Sequence, residues 1–254
     1  MKLTILTADG FAALTLLATC FSGLSLAAPT VEGLALEKRA LPVLLGSAKS
    51  FGALSETALT SNGATAITGA GGVGNAGVWP GTAITGFPPG TVSGVLARGT
   101  VLAQNGKSGC LTAYNNALSI PATRALPSSN LGGITLTPGV YTFPTSAVTL
   151  TGTLTLNAGG DARKQFIFKA TTTFTAAALS RIVLTNNAQA CNVYFVVGSS
   201  ATIGAGAQLQ GNIIAYTAIG AGNAASNKGT WCALNAAVTL INNSLVAQAG
   251  NCPT

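Results

Sequence analysis

The sequence predicts a β-solenoid, a fold in which short strands stack coil upon coil. From about residue 132, short runs rich in Thr, Val and Ile alternate with Gly, Asn and Ser breaks, which is typical of strands on a half-buried surface. An apolar–small–apolar triplet recurs at a nearly constant spacing, as in stacked repeats. Hydrophobic residues make up 48% of the chain and charged residues 7%, so many short segments must be buried.

The N-terminal segment, residues 1–27, is predicted to be a signal peptide. Lys2 precedes an apolar run over residues 11–26, and Ser25 and Ala27 provide the small residues that signal peptidase requires. A buried N-terminal helix is the alternative interpretation. No later apolar run reaches the roughly 20 residues that a membrane-spanning helix needs, so we expect the mature form to lack a membrane segment.

A propeptide is predicted over residues 28–39, because it ends at Lys38-Arg39. This dibasic pair resembles a kexin-type processing site of a fungal secretory pathway, and a solvated charge pair is the alternative. The mature chain, residues 40–254, is then predicted to form one solenoid domain. It keeps nine of the twelve basic residues and two of the five acidic residues, a net charge of +7.

The charge inventory argues against catalysis and against nucleic-acid binding. Glu56 and Asp161 are the only carboxylate side chains after residue 39, and the chain has no histidine. Hydrolysis of a glycosidic bond requires two facing carboxylates, and a Ser or Cys nucleophile requires a base. The basic residues are scattered, without the stripe and aromatic platforms that nucleic acids favour. We therefore predict a protein that is not an enzyme and binds no nucleic acid.

Four cysteines remain in the mature chain and predict export to an oxidising compartment, where they would form two disulfides. They are Cys110, Cys191, Cys232 and Cys252. Three pairings are possible, and Cys252 is expected to join the C-terminus to the body. Because no CxxC motif and no histidine is present, we expect no zinc site and no other metal site.

The recurring triplet predicts which side chains face outward. Three triplets are centred on positions 202, 220 and 239, and an earlier one is centred on position 183. This spacing of about 18 residues fits a coil of three short strands and three turns, with the flanking residues buried and the centres exposed. A β-sandwich with similar strand spacing is the alternative.

Two outward columns follow from this register. The first column contains Val183, Thr202, Gly220 and Thr239, with Thr155 as an earlier member. The second, two residues earlier on each strand, contains Thr153, Arg181, Ser200, Ala218 and Ala237.

A helix is predicted alongside the solenoid. The runs over residues 193–197, 213–216 and 231–234 are apolar at almost every position, so these strands need cover on both faces. Apolar residues at helical spacing over residues 92–118 predict that cover. The glycines within residues 105–109 are expected to break or loosen this helix, because interior glycine costs about 1 kcal/mol relative to alanine.

Several long motifs resemble the secreted ice-binding proteins of microbes and fungi. The resemblance covers the chain from about Leu45 to Leu245 and is carried by residues 82–90, 131–143, 150–156 and 190–203. It implies a discontinuous right-handed parallel β-helix of triangular section, mainly β, with one α-helix packed alongside. It also implies an ice-binding site on one flat β-face and no cofactor.

An ice-binding face should be flat, with hydroxyl and methyl groups that hold ordered water and lose little entropy. The candidate contacts are Thr153, Thr155, Ser200, Thr202, Ala218, Ala237 and Thr239. Arg181, Val183 and Gly220 depart from a regular ladder of such groups. The alternative is a secreted cell-wall or surface-interaction protein whose partner is a glycan. The sequon at Asn242 predicts a glycosylation site close to this face.

Overall fold

The computed structural model describes residues 42–69, 73–248 and 252–253, and the predicted signal peptide and propeptide lie outside these residues. The described part contains one α-helix, α1 (Val101–Ser119), and short 3-10 helices at Gly46–Ser50 and Ala190–Asn192. Its strands, in chain order, are β1 (Phe51–Ser55), β2 (Ala58–Asn62), β3 (Ala66–Gly69), β4 (Asn75–Val78), β5 (Ala83–Thr85), β6 (Thr91–Val92), β7 (Leu96–Arg98), β8 (Arg124–Ala125), β9 (Thr135–Leu136), β10 (Gly139–Thr142), β11 (Val148–Leu150), β12 (Thr153–Asn157), β13 (Phe166–Ala170), β14 (Phe174–Ala176), β15 (Arg181–Thr185), β16 (Val193–Val197), β17 (Ala201–Ile203), β18 (Gln208–Gln210), β19 (Asn212–Ala215), β20 (Ile219–Ala221), β21 (Ser226–Lys228), β22 (Trp231–Ala233), β23 (Val238–Ile241) and β24 (Ser244–Ala247).

The strands form three parallel sheets. Consecutive strands fall on successive sheets, except that β7 and β8 both lie in sheet A and β9 follows in sheet C. Sheet A has the order β7-β4-β1-β22-β19-β16-β13-β10-β8, sheet B has the order β11-β14-β17-β20-β23-β2-β5, and sheet C has the order β6-β3-β24-β21-β18-β15-β12-β9. The chain therefore winds as a β-helix with three faces, which confirms the predicted fold class.

The coils do not stack in chain order. The first coil, β1 to β3, lies between the second coil and the last coil, β22 to β24. In sheet B, for example, Thr60 pairs with Thr239 on one side and with Thr85 on the other. The second coil extends the stack away from β1 and ends at β7, one edge of sheet A. The chain then passes through α1 to β8, the opposite edge, so the β-helix is discontinuous.

The interior of the β-helix is filled by side chains from all three sheets. Aromatic rings stack along it: the ring centroid of Phe168 lies 5.2 Å from that of Tyr141 and 4.7 Å from that of Phe195. Phe174 stacks on Phe195 from sheet B, also at 4.7 Å. Rings at these separations stabilise the core beyond the area that they bury. The interior is therefore a packed core that holds the faces in position.

A second hydrophobic core lies between sheet A and α1, as the doubly apolar strands predicted. Ala103, Ala113 and Ala117 of the helix pack with Leu54 and Ile214 of the sheet. A disulfide between Cys110 and Cys232 joins α1 to β22, and a disulfide between Cys191 and Cys252 holds the C-terminal segment. The four cysteines therefore form two disulfides, as predicted, and the helix closes the outer face of sheet A.

The helix differs from its prediction in two respects. It begins at Val101 instead of residue 92, because residues 91–98 contain the strands β6 and β7. It also continues unbroken through Gly106 and Gly109. A Cβ at Gly106 would lie 2.7 Å from a ring carbon of Phe51, so glycine here permits close contact between helix and sheet. The prediction of a break was wrong because this packing outweighs the low helix propensity of glycine.

Lys107 lies between these two glycines in α1, and its side chain is buried where the helix packs on sheet A. Its Nζ donates hydrogen bonds to the carbonyl oxygens of Ala233 and Leu234, at 2.8 and 2.6 Å. The nearest carboxylate oxygen of Glu56 lies 3.8 Å away. Burial lowers the pKa of Lys107 to about 8, although Glu56 opposes this shift. Lys107 thus links α1 to the end of β22 by two hydrogen bonds.

Candidate functional site

A column of threonines runs across the outer face of sheet B. Each of its seven strands contributes one outward residue to this column, and six of the seven are threonine. In spatial order the column is Thr149, Thr175, Thr202, Gly220, Thr239, Thr60 and Thr85. These pairings show no register shift, so the side chains follow one another at the strand spacing of about 4.8 Å and the column is about 29 Å long.

The threonines face outward because apolar neighbours on the same strands face inward. In β17, Ala201 and Ile203 are buried while Thr202 is exposed. β14 repeats this pattern around Thr175. Successive side chains of a strand point to opposite faces, so burial of the flanking residues places each threonine on the surface.

A second column of small side chains lies two residues before the first. It contains Thr173, Ser200, Ala218, Ala237, Ala58 and Ala83. Ala58 pairs directly with Ala83. The N–H groups of Ala201 and Ile219 donate to the carbonyl oxygens of Ala218 and Ala237, at 2.9 and 3.1 Å. Neither column contains a charged side chain, so sheet B presents a broad strip of hydroxyl and methyl groups.

The predicted contacts do not all lie on this face. Ser200, Thr202, Ala218, Ala237 and Thr239 are together on sheet B. By contrast, Thr153 and Thr155 belong to β12 in sheet C.

The chain turns from sheet B to sheet C at Gly152, whose φ of +80° is unfavourable for other residues. The stretch 148–157 therefore forms two strands, β11 and β12, on two faces. Arg181 and Val183 pair with Thr153 and Thr155 in sheet C. They do not interrupt the threonine column, and Gly220 remains its one departure from threonine.

Sequence reasoning missed four of the six threonines in the column, namely Thr149, Thr175, Thr60 and Thr85. Thr149 and Thr175 lie between buried residues in β11 and β14, the same pattern that identified Thr202. The steps along the chain from Thr149 to Thr175 and from Thr175 to Thr202 are longer than the step from Thr202 to Gly220. A search at the shorter spacing therefore passes over both strands.

The other two faces differ in chemistry. The outer face of sheet A is covered by α1. Sheet C presents Arg181, Gln208 and Lys228, all exposed, together with the half-buried Gln210. Among the three sheets, sheet B alone has no charged residue in any of its strands in the part of the chain that the structure describes.

The two carboxylate side chains of the described residues both lie next to basic side chains. Glu56 approaches Lys107, and Asp161 accepts a hydrogen bond from the guanidinium of Arg163 at 3.0 Å. This hydrogen bond lowers the pKa of Asp161. Among the described residues, no group of three or more His, Cys, Asp or Glu side chains is placed to hold a metal ion. No described helix is long and apolar enough to span a membrane.

The predicted glycosylation site lies at the corner between sheets B and C. Asn242 follows β23, is exposed and has a φ of +49°. Its side-chain oxygen accepts a hydrogen bond from the N–H of Ala64, and its Nδ2 donates to Oδ1 of Asn223, both at 2.8 Å. The side chain thus bridges neighbouring coils at the edge of sheet B. Its modification by a sugar stays a prediction.

Comparison with known proteins agrees with this architecture. The model of the ice-binding-like family matches residues 53–246 of the chain. The chain belongs to this family. An ice-binding protein of Nostoc is 43% identical over 176 residues, which are 69% of this chain and 63% of that protein. An ice-binding protein of Flavobacterium frigoris is 31% identical over 223 residues, covering 81% of this chain and 77% of that protein.

A solved structure of the family has the same fold. The ice-binding protein of the Antarctic ascomycete Antarctomyces psychrotrophicus superposes with a TM-score of 0.75 at 39% sequence identity. The superposition covers 83% of this chain and all of that chain. By contrast, the chain spans less than two thirds of the length of the Nostoc protein.

Proposed function

We propose that this ice-binding-like protein adsorbs to ice through the outer face of sheet B and thereby limits the growth of ice crystals. The observation that carries the proposal is the in-register column of six threonines and one glycine, flanked by a second column of small residues. The names of the relatives and of the solved structure support it.

The physical basis is the arrangement of hydroxyl and methyl groups on a rigid plane. Threonine hydroxyls hold water by hydrogen bonds, while the methyl groups between them leave that water few competing partners. β-Branched side chains have restricted rotamers, so ordering them against a crystal costs little entropy. Water held in this way can join the lattice of the ice surface.

The two cores contribute rigidity. The stacked rings of Phe174 and Phe195 lie directly beneath sheet B, and the strands of this sheet contain no residue with an ionic partner among the described residues. Adsorption needs no cofactor and no proton transfer, and both acidic residues of the described chain already face cations. We infer a binding function without catalysis.

Export is part of this proposal. Two disulfides in a 254-residue chain are typical of proteins that fold in an oxidising compartment. The predicted signal peptide points in the same direction. The protein would then meet ice outside the cell, with ice as its principal partner.

A bulky substitution in the threonine column tests the proposal. Thr202→Tyr places an aromatic ring on the plane of sheet B, so thermal hysteresis and incorporation into growing ice should be lost. Because Thr202 is exposed, the melting temperature of the protein should change by at most about 2 °C.

Thr155→Tyr provides a matched control. It introduces the same side chain at a strand position that the sequence also marked as a contact, but on sheet C. We expect this variant to retain full hysteresis. Loss of hysteresis in Thr155→Tyr with full activity in Thr202→Tyr would move the ice-binding surface to sheet C, and two fully active variants would refute both assignments.

A further inference from the structure

We propose that the outer face of sheet C is a second binding surface, and that its ligand is an acidic polysaccharide. Two adjoining depressions lie on this side of the molecule, each about 440 Å³ in volume. Both are lined by Leu184, Gln210 and Lys228, so together they form one groove. The groove crosses the strands of sheet C and ends beside the disulfide of Cys191 and Cys252.

The groove is rich in amide side chains. Four of the six glutamines of the chain line it, namely Gln189, Gln208, Gln210 and Gln248. A primary amide donates two hydrogen bonds and accepts two, which suits the hydroxyl groups of a sugar chain. The Gln208 side chain is exposed and has no hydrogen-bond partner among the described residues. Both its donor and its acceptor groups are therefore available to a ligand. Ser226 and Ser244 add hydroxyl groups on neighbouring strands.

The groove also carries positive charge that no described side chain compensates. Arg181 and Lys228 point outward from β15 and β21, two strands and two residues apart, which places their Cα atoms about 12 Å from each other. No acidic side chain among the described residues lines the groove. After residue 39 the chain has only two acidic residues, and their partners are Lys107 and Arg163. An anionic ligand would supply the missing counter-charge.

Amides combined with a few cations distinguish a polysaccharide from other polyanions. Membrane surfaces are bound by clusters of about four to eight basic residues, and this groove has two. Single-stranded nucleic acids need aromatic side chains on which bases stack, and the described residues that line the groove include no aromatic side chain. A polymer with many hydroxyls and spaced carboxylates, such as a polyuronate, matches both the amides and the separation of the charges.

Sheets B and C are different faces of the same coil, so the two surfaces are independent. A protein held on an acidic polymer by sheet C would keep its threonine column free. The proposal does not require that sheet B binds ice.

The test uses the full mature chain and sodium alginate as the polyuronate probe. Affinity electrophoresis should show retardation by alginate that weakens as salt is added, and no retardation by the neutral glucan laminarin. Replacement of both cations, Arg181→Gln with Lys228→Gln, should weaken alginate binding about tenfold.

A second double variant, Arg98→Gln with Arg124→Gln, removes the same charge from exposed positions at the two edges of sheet A and should bind alginate like the unmodified protein. Equal weakening in both double variants would refute the proposal in favour of diffuse attraction by net charge. Absence of alginate binding would refute it outright, and stronger binding to phosphatidylserine vesicles would assign the groove to membranes.

Ice incorporation is measured on the same proteins and should be unaffected by either double variant. Failure of ice binding with retained alginate binding would leave this proposal standing, so the two functions are tested separately.

Discussion

Gly220 is the one interruption of the threonine column, and its replacement by threonine tests the role of that column directly. An added Cβ at Gly220 would meet no atom within 4 Å, and the residue has no positive φ. It lies in β20, in register with Thr202 and Thr239. The position therefore has room for a Cβ, and threonine here makes the column continuous over all seven strands.

Two effects of Gly220→Thr have magnitudes that follow from this geometry. Removal of a glycine from a strand and introduction of a β-branched residue should raise the free energy of unfolding by about 1 kcal/mol. For a domain of this size that corresponds to an increase of about 2–4 °C in melting temperature. The seventh threonine adds about one sixth to the hydroxyl and methyl groups that hold water along the column, so adsorption to ice should become stronger.

Thermal hysteresis at equal protein concentration is the assay, with the melting temperature measured in parallel. Ala66→Thr is a matched control, because Ala66 is an outward, half-buried residue of β3 in sheet C. It should raise the melting temperature slightly and leave hysteresis unchanged. If Gly220→Thr stabilises the protein but hysteresis does not rise, or if Ala66→Thr raises hysteresis equally, the column is not the contact surface.

Three further predictions concern stability. Because burial lowers the pKa of Lys107 to about 8, below the ordinary lysine value of about 10.4, the unfolded chain binds more protons between these values. The free energy of unfolding should therefore increase by about 2 kcal/mol from pH 7 to about pH 9.5, and Lys107→Met should abolish that increase in thermal denaturation. Leu179 has a φ of 60° and is 77% exposed, so Leu179→Gly should raise the free energy of unfolding by about 1 kcal/mol, whereas Leu179→Ala, still left-handed, should not. Gly106→Ala should lower it by about 1–3 kcal/mol in denaturant titrations, because the added Cβ would lie 2.7 Å from Phe51 and 2.9 Å from Leu54. Stabilisation instead would mean that helix propensity dominates.

Much of the architecture could be predicted because it follows from patterns within short stretches of the sequence. Runs that are apolar at every position, such as Val193–Val197, required cover on both faces, and α1 provides it. The regular spacing of the triplets identified β17, β20 and β23 as strands of one sheet. The exact packing of α1 could not be predicted from the sequence. Glycine is needed at positions 106 and 109 only because Phe51 and Leu45 lie against them in the folded chain.

The assignment of strands to faces failed where coil length changes. Val183 and Thr202 are separated by the same step along the chain as Gly220 and Thr239, yet they lie on sheets C and B. The coil that begins at Thr175 is longer, since residues 186–192 form a turn and a 3-10 helix before β16. The same step therefore crosses here from one face to the next. The pairings of Thr155 with Val183 and of Thr153 with Arg181 were correct, but both belong to sheet C.

The N-terminal coils could not be placed from the sequence at all. In β2 the inward neighbours of Thr60 are Leu59 and Ser61, so the strand lacks the second apolar neighbour that marks Thr202. Ser61 is accommodated in the core because its hydroxyl bonds to that of Thr65 at 2.7 Å. Pairing of this strand with β23 depends on contact with a segment near the other end of the domain, and no local pattern encodes such a contact.

The insertion of the first coil between the second and the last has consequences for how the molecule is made and how it can be enlarged. As the nascent chain leaves the ribosome, β1 to β3 emerge first, but half of their pairing partners are synthesised last. Closure of such distant contacts is slow, so a truncated chain would leave strand edges open to aggregation. An engineer who wishes to widen the threonine face should therefore insert whole coils inside the sequence, for example between β18 and β19, since a coil appended to the C-terminus would have no free edge on which to stack.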